Sequence, residues 1–188
     1  MNKRAKLIVI SGPSGVGKTT ICNEIISRCK GIVYSISATS RPRRKGEKNG
    51  KEYFFLTEQE FKHWIEEGRF AEYAIVHGNY YGTPKIFLEE NLDKGISVLM
   101  DIDVQGAKKL MPLYPDGIYI FVMPPDFDEL KNRLLKRNTD EKKVIENRLT
   151  TARKELEYAN DYKYIVKNID LEKTITEILT IIDNETNK

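Results

Sequence analysis

Cysteine is scarce in this 188-residue chain, which has only Cys22 and Cys29. Both fall on one predicted helix, ~10 Å apart at ~1.5 Å rise per residue, too far to bridge without breaking that helix. Disulfide stapling is thus excluded for this pair, and free thiols point to a reducing, cytosolic setting. Long apolar runs are also missing, since none approaches the ~20 residues that a membrane span needs. The opening Met1-Asn2-Lys3-Arg4-Ala5-Lys6 leads straight into a strand-like segment. It lacks the basic-then-apolar layout and cleavage site of a secretory signal. There is no internal repeat and no low-complexity tract. Histidine occurs twice, at His63 and His77, and both read as structural or exposed rather than catalytic. Hydrophobic content of 40% suffices for one good core.

What the chain does have is Gly12-Pro13-Ser14-Gly15-Val16-Gly17-Lys18-Thr19, which fills the pattern G-x-x-x-x-G-K-[ST]. It follows the apolar run Leu7-Ile8-Val9-Ile10 and opens a helical segment from Thr20 to Cys29. Glycines let successive N–H groups converge on a phosphate, and the helix N-terminus adds partial positive charge. Lys18 then supplies a point charge for the β- and γ-phosphates, and the Thr19 hydroxyl is a ligand for Mg²⁺. This strand–loop–helix setting predicts nucleoside triphosphate binding.

Net charge is +3, unevenly spread: residues 41 to 53 carry six bases against Glu47 and Glu52. A positive patch beside a phosphate loop suggests a second anionic ligand. A nucleic-acid surface is the alternative, but acids and turn residues interrupt the run and no second basic stripe accompanies it.

Strand-like runs fall at 6–10, 32–37, 53–56, 70–76, 96–101, 118–123 and 163–167. Helical periodicity falls at 18–29, 58–67, 84–93, 104–111, 127–137, 141–159 and 171–183. Thr57 with Glu60 and Asp126 with Glu129 have capping-box spacing, Gly68 stands where a helix should stop, and Pro84 suits a first helical turn. Alternating strands and helices predict an α/β core with a parallel sheet between helical layers. Residues 35 to 82 break the rhythm with a basic loop, an Asn49-Gly50 hairpin signal and short strands. They read as an inserted antiparallel lobe. Residues 127 to 156 form a charge-dense helical segment.

Val98-Leu99-Met100-Asp101 places an acid at the C-terminal edge of a strand, where open α/β sheets bind ligands. Asp101 and Asp103 share a face if the strand continues. One could hold Mg²⁺ through water and the other contact an acceptor. Asp103 could equally cap the helix that follows.

Taken together, G-P-S-G-V-G-K, S-x-S-x-T-x-R, G-E-x-N-G-K-x-Y, F-x-E-Y, G-N-Y-Y-G-T and D-I-D-x-Q-G resemble guanylate kinase. So do Arg133-Leu134, Arg137 and Arg148-Leu149 further on. The resemblance runs from about residue 5 to 183, with the motifs in the family's order. It implies a phosphate-loop fold: a core of 1–34, 84–126 and 157–188, a GMP-binding lobe at 35–83, and a lid at 127–156. The implied activity is reversible transfer of the ATP γ-phosphoryl group to GMP, with dGMP a weaker acceptor and Mg²⁺ required.

Ser37, Arg41, Arg44, Tyr53, Glu72, Tyr81, Thr83 and Asp103 would line the GMP site. Of these, Arg41, Arg44, Tyr53 and Tyr81 would hold the phosphate, while Glu72 and Ser37 read guanine. Gly12, Ser14, Gly15, Val16, Gly17, Lys18, Thr19, Thr20, Arg133, Arg137 and Asn168 would bind ATP. Thr19, with Asp101 through water, would serve the metal. Lys18, Arg44, Arg137 and Arg148 are the expected catalytic cations. No general base is needed, because a GMP phosphate oxygen is already ionised near neutral pH. The family's usual R-x-P-R becomes Arg41-Pro42-Arg43-Arg44 here. Spacing favours Arg44 as phosphate ligand, with Arg43 the alternative. Lys167 before Asn168 is a second departure.

The chemistry of the residues agrees. Guanine presents two adjacent donors, N1–H and the exocyclic amine, and one carboxylate accepts both. Adenine presents an acceptor at N1 and would leave that carboxylate poorly paired. A non-catalytic phosphopeptide-binding module is a rival reading, opposed by the intact Gly17-Lys18-Thr19 and Asp101. A kinase for another phosphorylated acceptor, such as a sugar phosphate, is a second, opposed by Glu72 with Ser37. No nucleic acid, membrane or obligate protein partner is expected, with a monomer as the default.

Overall fold

A computed structural model describes residues 4–76, 78–136 and 142–187. Five parallel strands form its central sheet in the order β2-β7-β1-β8-β9: β1 is Leu7–Ser11, β2 Ile32–Tyr34, β7 Ser97–Asp101, β8 Ile118–Met123 and β9 Tyr164–Lys167. Period-two alternation fixes which side chain goes where. Leu7, Val9, Val98, Met100, Tyr119 and Phe121 enter one buried layer. Ile8, Ile10, Leu99, Ile118, Ile120 and Val122 enter the other. Helices α1 (Lys18–Arg28) and α7 (Leu171–Thr186) cover the second face through Ile21, Cys22, Ile25, Ile178 and Ile182. On the first, Leu88 of α3 (Lys85–Asp93) and Val104, Ala107 and Leu110 of α4 (Val104–Leu110) pack with Tyr162. Both faces are therefore apolar, which is why these strands read as continuous hydrophobic runs.

A second sheet, in the order β4-β3-β6-β5, lies within residues 35–84. Its strands are β3 (Ala38–Thr39), β4 (Phe54–Phe55), β5 (Phe70–Val76) and β6 (Asn79–Pro84). β6 runs antiparallel to both β3 and β5, but β3 and β4 are parallel, so the sheet is mixed rather than wholly antiparallel. The basic loop explains this. A dozen or so residues can carry the chain back to the start of its neighbour, whereas a two-residue turn cannot. Asn49-Gly50 accordingly shapes the loop instead of joining a hairpin: Gly50 N–H donates to Tyr53 O (2.9 Å), and Asn49 Oδ1 accepts from Phe55 N–H (2.8 Å). Helix α2 (Glu58–Glu66) starts at a complete Thr57/Glu60 capping box, and Gly68 follows its end with φ 65°. Its Phe61 stacks on Phe70 at 4.4 Å and on Tyr80 at 5.2 Å, giving the lobe its own apolar centre.

Strand β5 carries a bulge between Phe70 and Glu72. Simple pairing onward from Phe70↔Pro84 would set Glu72 across from Gly82. The extra residue instead sets Glu72 across from Thr83. Opposite residues share a face, so the bulge turns the Glu72 side chain to the side of Thr83 and Tyr81. Beyond β8, α5 (Phe127–Lys136) and α6 (Lys142–Glu157) pack through Phe127, Leu130, Leu149 and Ala152. A 3₁₀ turn, Tyr158–Asp161, leads from α6 to β9. Among the described residues no helix is long and apolar enough to cross a membrane.

Candidate active site

The loop between β1 and α1 is a tight glycine-rich turn. Gly12, Gly15 and Gly17 have φ of 139°, 89° and 102°, values that suit glycine. A Cβ on Gly12 would run into the Val122 backbone. Lys18 Nζ donates to the loop's own carbonyls, Gly12 O (2.6 Å) and Pro13 O (3.2 Å), so the cation folds over its own cradle. Thr19 and Thr20 open α1 and are exposed.

At the edge of β7, Asp101 accepts from the Thr19 hydroxyl at 2.8 Å on Oδ2 and from the Tyr34 hydroxyl on Oδ1. A hydroxyl and a carboxylate in mutual contact form the all-oxygen set a magnesium ion favours. Among the described residues no group of three or more His, Cys, Asp or Glu could hold a metal. Tyr34 was not expected from sequence. Burial and the neighbouring Asp101 raise its pKa, keeping the phenol a donor.

Two residues further on, Asp103 has different hydrogen-bond partners. It is the N-cap of α4, its Oδ1 accepting from Gly106 N–H at 2.8 Å. Its other oxygen, Oδ2, is buried without a hydrogen-bond partner. Capping and ligand contact are thus compatible, one oxygen for each. Glu72 reaches the same corner from β5, only 6% exposed, its Oε1 accepting from Thr83 Oγ1 at 2.8 Å. Burial pushes the Glu72 pKa up to about 7; Thr83 opposes the shift, and the Asp103 charge adds to it. Burial likewise raises Asp103. Two adjacent buried carboxylates with an orphan acceptor constitute a site for a ligand with several donors.

The lobe gathers the expected phosphate ligands unequally. Arg41 lies over the rings of Tyr53 (5.5 Å) and Phe55 (5.7 Å), and Tyr53 meets Tyr81 edge-on at 5.9 Å. Glu47 forms a fork with Arg41, at 2.7 and 3.1 Å, and also accepts from Arg44 N–H at 2.7 Å. Burial opposes the Arg41 charge, yet the Glu47 partner leaves its pKa raised. The Arg43 and Arg44 side chains are exposed. Arg44 is among the charges that lower the Glu47 pKa, against its burial. Ser37 lies just before β3, its carbonyl accepting from Phe54 N–H at 2.9 Å. In sequence Glu47 stood only as the acid of the G-E-x-N-G-K-x-Y motif, with no role attached.

Helices α5 and α6 bring further residues to the loop. Arg148 donates to Ser14 Oγ (3.0 Å), and Glu155, 8% exposed and two turns later, accepts from Ser14 N–H (3.2 Å). Burial raises the Glu155 pKa, while Lys18 and that N–H pull it down. Sequence spacing gave no sign of Glu155. Arg133 pairs with Glu129 at 3.0 Å and reaches towards Val16 O at 3.5 Å. Arg137 and His77 lie outside the described residues.

A cavity of about 380 Å³ opens beside Gly17 and Thr20, bounded by Arg133, Asn168, Ile169, Asp170 and Leu171. Asn168 is a buried brace as well as a wall: its Nδ2 donates to Val16 O (2.8 Å) and its Oδ1 accepts from Thr174 (3.3 Å). That amide braces the loop against the start of α7.

Known proteins resemble this chain in sequence and fold. The sequence profile described as "Guanylate kinase" matches residues 4–185. Guanylate kinase of Caldanaerobacter subterraneus subsp. tengcongensis is 47% identical over 97% of this chain and 88% of its own. That of Clostridioides difficile is 45% identical over 99% and 91%. The crystal structure of guanylate kinase from Anaplasma phagocytophilum superposes with a TM-score of 0.85 at 37% identity, covering 100% of this chain and 89% of that one.

Proposed function

Since the chain belongs to the guanylate kinase family and phosphorylates GMP to GDP with ATP as donor, we propose that the end of β7 joins its two half-sites. The observation that carries this reading is the opposite commitment of two acids two residues apart. Asp101 is held by Thr19 on the loop side, and Asp103 faces Glu72 on the lobe side. ATP would lie on residues 12–20, its base in the cavity bounded by Arg133 and Ile169. Thr19, with Asp101 through water, would hold Mg²⁺, which when bound neutralises charge on the phosphate oxygens. Glu72 would accept the N1–H and exocyclic amine of guanine, Asp103 Oδ2 a further donor, and Ser37 and Thr83 would border the base. Arg41, Arg44, Tyr53 and Tyr81 would grip the GMP phosphate, Arg41 exchanging Glu47 for it.

In the reaction an oxygen of the GMP phosphate attacks the γ-phosphorus and the bond to the β-phosphate oxygen breaks, leaving ADP. No proton needs removing from the nucleophile, so positioning and charge are what the protein supplies. Lys18 would leave the loop carbonyls for the transferring phosphoryl group, joined by Arg44, Arg148 and Arg137. The 35–83 lobe and the 127–156 segment would move against the core, excluding water as a competing acceptor. No contact proposed for the acceptor depends on a ribose 2′-hydroxyl, so dGMP should also serve. A coupled ADP-release assay with GMP, dGMP, AMP, CMP and UMP tests this reading. GMP and dGMP should be turned over and the others only poorly; equal rates with AMP would overturn the assignment of Glu72.

A further inference from the structure

Gly106 occupies the third position of α4, where a helix would prefer alanine. Its backbone is not in the left-handed region, so conformational freedom does not account for it. Space does. A Cβ at 106 would stand 2.6 Å from Glu72 Oε2, 3.1 Å from Glu72 Cδ and 3.3 Å from Asp103 Oδ1. The bare Cα is thus the floor on which both acceptor-site carboxylates rest, one reaching it from β5 and the other from the cap of the same helix. Lys109, one turn later, donates to Tyr73 O and lies 4.7 Å from the Tyr73 ring, so α4 and β5 are pinned together beside this contact. The elements have little freedom to part, and an added methyl would fall on the carboxylate.

We infer that Gly106 is a specificity-determining residue: its missing side chain lets Glu72 present both oxygens to the donor edge of a guanine. Its role rests on the reading of Glu72 as the residue that recognises the base. Restoring ordinary contact from 2.6 Å requires the Glu72 carboxylate to move by roughly 1 Å, and misplacement of that size can cost ~10²-fold in rate. Gly106 acts through Glu72 and touches neither phosphate, so the loss belongs to base recognition.

The test compares Gly106→Ala, Glu72→Gln and the double variant. Gly106→Ala should lower kcat/KM for GMP by ~10²-fold, leave KM for ATP within about twofold, and narrow the preference for GMP over inosine monophosphate, which lacks the exocyclic amine. Its melting temperature should fall by a few degrees at most, because the ~1 kcal/mol that alanine gains in the helix offsets part of the overpacking at Glu72. The double variant should be no worse than Glu72→Gln, as expected of two changes acting through one contact. Wild-type GMP kinetics in Gly106→Ala, or full additivity, would overturn the inference. If Glu72→Gln alone keeps the GMP preference, the base-reading assignment itself fails. If Glu72→Gln loses it while Gly106→Ala does not, only the role of the glycine fails. Should Gly106→Ala not fold, Gly106→Ala with Glu72→Ala removes the clashing partner and should fold; a double variant that also fails would count against the proposed contact.

Discussion

Replacing Glu72 by glutamine should separate recognition from stability within one side chain. The wild-type carboxyl is pushed up to about 7, first by burial and then by Asp103, against the Thr83 hydroxyl. Only the ionised form accepts two donors from guanine. With that pKa, about half of the free enzyme is competent at pH 7, about one in eleven at pH 6 and about ten in eleven at pH 8. The Glu72 contribution to kcat/KM for GMP should therefore drop ~10-fold from pH 8 to pH 6. The GMP phosphate adds its own ionisation near ~6, but that step is common to both proteins. The glutamine amide offers one acceptor and one unwelcome donor, so kcat/KM for GMP should fall by ~10²–10³ at pH 8, and the Glu72 part of the pH dependence should vanish. The sign for stability is opposite. A carboxyl whose folded pKa is raised binds its proton more tightly when folded, so stability is greatest below the ordinary carboxylate range and is lost as pH rises through about 7. Ionisation costs the free enzyme up to about 3 kcal/mol, and the Glu72→Gln variant should melt higher than wild type at pH 8. Steady-state kinetics and thermal melts from pH 6 to 8.5 read both effects. Superimposable pH profiles, or a variant that melts lower at pH 8, would refute the reasoning.

Substituting the two exposed arginines separately should resolve the shifted proline. Arg44→Ala is expected to raise KM for GMP by ~10–100-fold, the weight of one charge-assisted bond, with Arg43→Ala within about twofold; the reverse order would make Arg43 the ligand. Tyr34→Phe frees Asp101 Oδ1, so Mg²⁺–nucleotide binding measured by calorimetry should weaken by ~10-fold or more, with GMP binding unchanged. Equal weakening of both would point to a general packing defect. Glu155→Ala releases the Ser14 N–H from its buried acceptor, and amide exchange at Ser14 should quicken by ~10-fold. Unchanged exchange would mean that the contact does not hold helix α6 to the loop.

The core was legible because its rules are local. Apolar runs bounded by turn signals marked the five parallel strands, and the loop at 12–19 carried its own spacing. The Thr57/Glu60 box appeared as expected. What escaped was set by registry across strands. β3 is two residues long, too short for any period to show, and the bulge at Phe70–Glu72 has no signature in the run FAEYAIV. Yet that bulge decides which face Glu72 occupies. Tyr34 and Glu155 were missed for a related reason: each meets its partner from another element, and nothing nearby in sequence distinguishes it from an ordinary strand tyrosine or surface acid. Glu47 stood in a motif, but its fork to Arg41 forms only across the loop fold. Asn168 was singled out as an ATP contact, but its bond to Val16 O could not be read, because Val16 lies 152 residues away.

In the proposed cycle, donor and acceptor half-sites meet at the edge of β7 and are completed by movement of residues 35–83 and 127–156 towards the core. Small-angle scattering of the protein alone, with GMP, with a non-hydrolysable ATP analogue, and with both tests it most directly. The radius of gyration should fall modestly with either ligand and reach its minimum only with both bound. A radius unchanged by the pair would mean that the two half-sites do not close on each other.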